Sequence, residues 1–157
     1  MNRFYWVDLT PTAVTVAADL IELNPATNKP IRVRSLILGQ TTELGDAAEE
    51  ILSVVWVRGN ATSGSGGSAP TPVPTDGTDT AAGFTAEVFN TTAASTGTPV
   101  NLPRHAWNVR IGLERPYTPE EAPGVSAGAG TRLCLRMAAA PADSITISGC
   151  VLVEEMG

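Results

Sequence analysis

Residues 51–90 read "ILSVVWVRGNATSGSGGSAPTPVPTDGTDTAAGFTAEVFN". The start is the most strand-like run of the chain, with β-branched and aromatic residues crowded together around Trp56. The end, "FTAEVFN", reads as a second strand. Between them, from Arg58 to Gly83, lies a stretch of Gly, Ser, Thr and Pro that has no means of forming a core. Two good strands split by a long, turn-rich segment point to an all-β domain with long loops.

The same alternation of strand and turn runs outward in both directions. Upstream, "IRVRSLILGQ" places Ile31, Val33, Ser35 and Ile37 on one face and begins the other with Arg32 and Arg34. "TAVTVAADLIELNP" reads as one strand, or two with a kink near Ala18, ended by the turn "NPATNKP". "TTELGDAAEE" is a polar connection in which Thr42 caps at most a short helical turn, because Gly45 follows. Downstream, "HAWNVRIGLE" alternates Trp107, Val109, Ile111 and Leu113 against Ala106, Asn108, Arg110 and Gly112. "TRLCLRM" does so with Leu133, Leu135 and Met137, and "SITISGCVLVEE" with Ile145, Ile147, Val151 and Val153. "RPYTPEEAPGVSAGAG" is a further long loop. About eight strands with no amphipathic helix between them pair antiparallel by default. The expected architecture is an antiparallel β-sandwich, jelly-roll-like, with a barrel as the alternative.

Composition agrees. Of 157 residues, 43% are hydrophobic, which is too many for a disordered chain, and 17% are charged, below the usual ~25%. One domain over residues 1–157 is expected, with a candidate N-terminal arm over 1–10 and a long extended loop over 59–83. The formal net charge is −6 and Lys29 is the sole lysine, so no basic footprint for nucleic acid exists. No apolar run has the length of a membrane span, and the simplest compartment is the cytoplasm or a particle assembled there.

Catalytic chemistry finds little foothold. His105 is the sole histidine and no G-x-S-x-G motif accompanies it, so it reads as a strand-edge residue. Glu49–Glu50, Glu120–Glu121 and Glu154–Glu155 are adjacent carboxylates. On a strand such neighbours point to opposite faces, which favours solvated charge at strand ends over a glycosidase pair. "SGSGGS" lacks the ending of a phosphate loop. "DGTD", with Asp76 and Asp79, falls short of a calcium loop. The sequons at Asn60 and Asn90 read as coincidental. Cys134 and Cys150 both fall on expected outer faces and fix no disulfide framework. Catalytic, cofactor and metal residues are therefore expected to be none. The candidate interface is the aromatic triplet Phe4, Tyr5 and Trp6, together with Pro70, Pro72, Val73 and Pro74 of "PTPVP". The triplet is either a first strand or an arm docked on a neighbour. The proline segment is either a plain loop or an arm whose stiffness lowers the cost of ordering.

Several stretches together carry a resemblance: "KPIRVRSLILGQTTELGDAAEEILSVVWVRG" (29–59), "TSGSGG" (62–67), "PTPVP" (70–74), "FNTTAASTG" (89–97), "WNVRIGLERPYTPEE" (107–121) and "APADSITISGCVLVEE" (140–155). They resemble a group of small virion structural proteins of tailed bacteriophages. The resemblance implies a non-enzymatic β-sandwich on the particle, of the capsid decoration (cement) type. Such a protein would bind the outer capsid surface, bridge major capsid protein subunits and associate with itself, most simply as a homotrimer. It carries over no functional residue. A tail, neck or fibre component, or a receptor- or glycan-binding module, is the alternative. For that alternative Trp107 and Tyr117 are the aromatics to inspect.

Overall fold

The computed structural model describes residues 1–41, 49–128 and 130–157. The described residues form eleven strands and no helix: β1 Arg3–Val14, β2 Asp19–Asn24, β3 Ile31–Gln40, β4 Ile51–Asn60, β5 Val73–Pro74, β6 Thr85–Val88, β7 Val100–Asn108, β8 Leu113–Pro116, β9 Gly124–Val125, β10 Arg132–Met137 and β11 Ile145–Glu155. They build two antiparallel sheets. One has the order β5-β1-β11-β3-β8, with β9 also paired to β3. The other has the order β6-β2-β10-β4-β7. Without the short strands β5, β6 and β9, each sheet has four strands. The chain then crosses between the sheets at every step except β4 to β7. That is the connectivity of a jelly roll.

The expected eight strands came from reading "HAWNVRIGLE" as one strand and missing β5 and β9. A turn at residues 109–112 divides it, so β7 and β8 lie in different sheets. The expected helical turn after Thr42 lies outside the described residues.

The core lies between the sheets. Tyr5, Val7 and Leu9 enter from β1, Leu52, Val54 and Trp56 from β4, Leu133, Leu135 and Met137 from β10, and Ile145, Ile147, Val151 and Val153 from β11. Strand period two places each set on one face. In β3 the expected inward face fails halfway. Ile31 and Val33 are buried, but Leu36 and Leu38 then replace Ser35 and Ile37. The cause is a bulge: Val153 faces Val33 and Leu152 faces Ser35, so Arg34 is an extra residue and the side-chain phase flips.

Residues 1–10 are not a detached arm. β1 pairs with β11 from Arg3 to Val14. Tyr5 is fully buried, its hydroxyl donates to the Thr80 carbonyl at 3.1 Å, and its ring meets Phe84 edge-on at 5.6 Å. Residues 59–83 also stay with their own domain. Thr62, Ser65 and Ser68 pair with Ser95, Thr92 and Val88, forming a ragged ladder across the outer side of the second sheet. The chain then crosses to the first sheet, where Val73 and Pro74 pair with Trp6 and Tyr5. Gly64 shows why "SGSGGS" is rich in glycine: a Cβ there would lie 2.5 Å from the Thr92 carbonyl oxygen.

The last turn of that loop is held by a buried carboxylate. Glu155 accepts from the N–H groups of Gly83 at 2.8 Å and Phe84 at 3.0 Å, and pairs with Lys29 at 3.1 Å. Glu154 accepts from Arg34 at 2.7 Å and Asn2 at 2.6 Å. Both glutamates are buried, which corrects their expected place as solvated charge. Their partners come from distant parts of the chain and satisfy the carboxylates where water is excluded.

Candidate functional site

The two segments singled out as a candidate interface are neighbours in space. Val73 lies opposite Trp6, and the row continues through Leu152 and Ser35 to Pro116 across the outer face of the first sheet. Phe4 and Trp6 are each 36% exposed and Val73 is 59% exposed. Leu152 and Ile37 extend the patch, both half-buried. Tyr5 belongs to the opposite face of β1 and is core, because side chains alternate along a strand. Pro70, Pro72 and Pro74 are half-buried against their own domain. The exposed part of the candidate interface is therefore Phe4, Trp6 and Val73.

A second feature lies where the sheets part at one end of the sandwich. Arg58 follows Trp56 by two residues, His105 precedes Trp107 by two, and Arg115 and Tyr117 follow Leu113 in phase. All four carry polar groups at positions whose phase points between the sheets. They line a pocket of about 380 Å³ closed by residues 120–124, within the ~300–1,000 Å³ span of small-molecule sites. The signal for this site was present in the sequence as polar residues on the core phase of β4, β7 and β8. The sequence reading passed over Arg58 and Arg115.

Hydrogen bonds order this mouth. The Trp56 indole N–H donates to the Tyr117 hydroxyl at 2.9 Å, and that hydroxyl lies 2.9 Å from His105 Nε2. A hydroxyl that accepts from the indole still has its proton and a second lone pair, so it can pair with either tautomer of the His105 ring. Burial and the nearby Arg115 guanidinium lower the His105 pKa and favour the neutral ring. Burial raises the Tyr117 pKa. Arg115 lies over the Tyr117 ring at 5.6 Å and pairs with Glu121 at 3.4 Å. The imidazole is thus hydrogen-bonded to a tyrosine, with no serine or cysteine nucleophile among the residues lining the pocket.

The remaining constellations are structural. Asp19, Glu22 and Cys134 bring three potential metal ligands together, all buried. The carboxylates are already engaged. Asp19 accepts from Arg136 Nε at 2.7 Å and from the Ala94 N–H at 2.7 Å. Glu22 accepts from Ser63 Oγ at 2.6 Å, the Gly64 N–H at 2.9 Å and Asn90 Nδ2 at 3.1 Å, and pairs with Arg132 at 2.8 Å. Burial, with Asp19 and Glu22 beside it, drives the Cys134 pKa far up, so the thiol keeps its proton. Asp76 accepts from the Thr78 N–H and hydroxyl, an Asx turn on the surface. Asn60 and Asn90 are buried, so neither sequon is accessible. Cys134 and Cys150 are free and stand in different sheets. Cys134 does take the outer face, as expected, but the loops over it bury it completely.

Compared with known proteins, the chain matches no family model, no curated protein and no solved structure, so its function is read from these two surfaces alone.

Proposed function

We propose that this chain is a non-enzymatic structural protein of a tailed-bacteriophage particle, of the capsid decoration type. It docks on the outer capsid surface, as a trimer, and bridges neighbouring major capsid protein subunits. The observation that carries this reading is the apolar outer face of the first sheet. Phe4 and Trp6 on the long strand β1, with Val73 beside them on the short β5, stand exposed where a partner's surface gains the burial that this domain leaves undone. Aromatic side chains on a rigid sheet suit docking, because little conformational entropy is lost when they are covered. The jelly roll is consistent with a shell component, although a fold by itself carries no function.

Counting copies of the chain against the major capsid protein in purified particles, by quantitative mass spectrometry, tests the proposal. A ratio near one to one, or a simple lattice fraction of it, supports decoration of the shell. A few copies per particle would move the chain to the neck, tail or fibres. Absence from particles would overturn the virion reading.

The pocket beside Tyr117 favours a second reading, a receptor- or glycan-binding module on the particle. The two aromatics that this reading singles out, Trp107 and Tyr117, are both buried rather than exposed, but Tyr117 lines this concave site with polar groups around it.

A further inference from the structure

The pocket at the sandwich mouth does not end at His105. Arg58 and Gly124 also line two adjoining concavities of about 500 Å³ and 290 Å³. The three concavities meet at Arg58 and Gly124 as one composite groove, and Arg32 at the start of β3 lines the largest of them. Gly124 keeps it open beside Arg32: a Cβ there would come within 3.0 Å of the Arg32 Cγ.

The charge in this groove is distinctive. Arg3, Lys29, Arg34, Arg115, Arg132 and Arg136 all form ion pairs with carboxylates. The side chains of Arg32 and Arg58 have no such partner among the described residues, and both line the groove. Two unpaired guanidiniums thus stand together on one concave surface, whereas Arg104, which also forms no ion pair among the described residues, lies outside it. The buried Nε of Arg115 also lacks a hydrogen-bond partner among the described residues.

We infer that the groove binds an acidic oligosaccharide, whose carboxylates meet Arg58 and Arg32 and whose hydroxyls meet Glu120. This inference rests on the second reading above. Three adjoining concavities fit successive sugar units better than one compact ligand. Glu120 forms no ion pair among the described residues and lines the groove beside Arg58. A carboxylate there accepts from hydroxyls, which an acidic oligosaccharide carries on its sugar units and a polyglutamate does not carry at all. The bordering edge strand β7 carries Pro103, which offers no backbone N–H, so a peptide cannot add as a regular strand at that position. Leu102, Pro103 and Pro123 supply apolar wall for the C–H faces of the rings.

Titration calorimetry of the full chain tests this with four probes: tetragalacturonate, a tetramer of N-acetylneuraminic acid, cellotetraose and tetraglutamate. At least one acidic tetrasaccharide should bind at least tenfold more tightly than cellotetraose and tetraglutamate. Arg58→Gln should weaken that binding at least tenfold. Arg104→Gln, which removes an equal charge outside the groove, should leave it unchanged. Unchanged melting of Arg58→Gln would establish that the fold survives. Equal binding of cellotetraose would overturn the acidic class and leave the glycan reading standing. Tighter binding of tetraglutamate would overturn it in favour of a peptide. If Arg58→Gln bound as well as the parent, the groove would not be the site. No binding of any sugar at millimolar concentration would overturn both the inference and the glycan reading.

Discussion

On the outer face of the β2–β10–β4 sheet, Cys134, Val55 and Val57 are shut away from solvent, while on the outer face of β1 Phe4 and Trp6 each remain 36% exposed. The first face is covered by two loops that pair with each other and are pinned from below by Asp19 and Glu22. The second face has one short strand, β5, at its margin and no loop ladder above it among the described residues. The difference lies in what the uncovered surface would cost. A buried carboxylate needs every partner in place, so the covered face demands ordered loops. An apolar face needs no partner to be tolerated, so it can wait for one.

Breaking the covered face should have the largest effect. Asp19→Ala strands the Arg136 guanidinium and the Ala94 N–H beneath the loop, and should cost about 3–5 kcal/mol in denaturant unfolding. A loss below about 1 kcal/mol, the scale of an exposed pair, would mean that the loop is not held from below. The bare face should respond in the opposite manner. Trp6→Ser should change the stability of the isolated protein by about 1 kcal/mol or less, yet abolish its retention on particles. Retention equal to the parent would remove this face from the docking surface.

The smallest expected effect belongs to the mouth of the sandwich and needs no substitution. The His105 pKa is lowered in the fold, so the unfolded chain binds the proton more readily. Stability is then complete above the ordinary histidine pKa of 6.5 and declines as pH falls below it. Unfolding measured between about pH 7.5 and 5.5, a window around the histidine range, should show this decline, and His105→Gln should flatten it. A decline that persists in the variant would assign it to other groups.

Much of the sandwich could be read from alternation. The inward sets of β10 and β11, and Trp56 in β4, stand where period two puts them. The Phe4–Trp6 and "PTPVP" segments, singled out separately, proved to be neighbours. What escaped depends on contacts across the fold. No local pattern announces that Arg34 is an extra residue, because a bulge is defined against the partner strand. Glu154 and Glu155 resemble a charged terminus until Arg34, Lys29 and the Gly83 backbone are brought beside them. The turn-rich stretch after Arg58 offered no core residues. Its order comes from backbone pairing and from Glu22, neither of which composition records.

The placement of the two thiols gives the molecule its own clock. Cys134 lies beneath the paired loops, and Cys150 lies in the partly open row with Asp8 and Ile37. A thiol reagent can reach Cys134 only after the loops lift, so its slow modification times their opening, with Cys150 as the faster reference in the same tube. Weakening the Asp19 anchor should speed the slow phase and leave the fast one as it was.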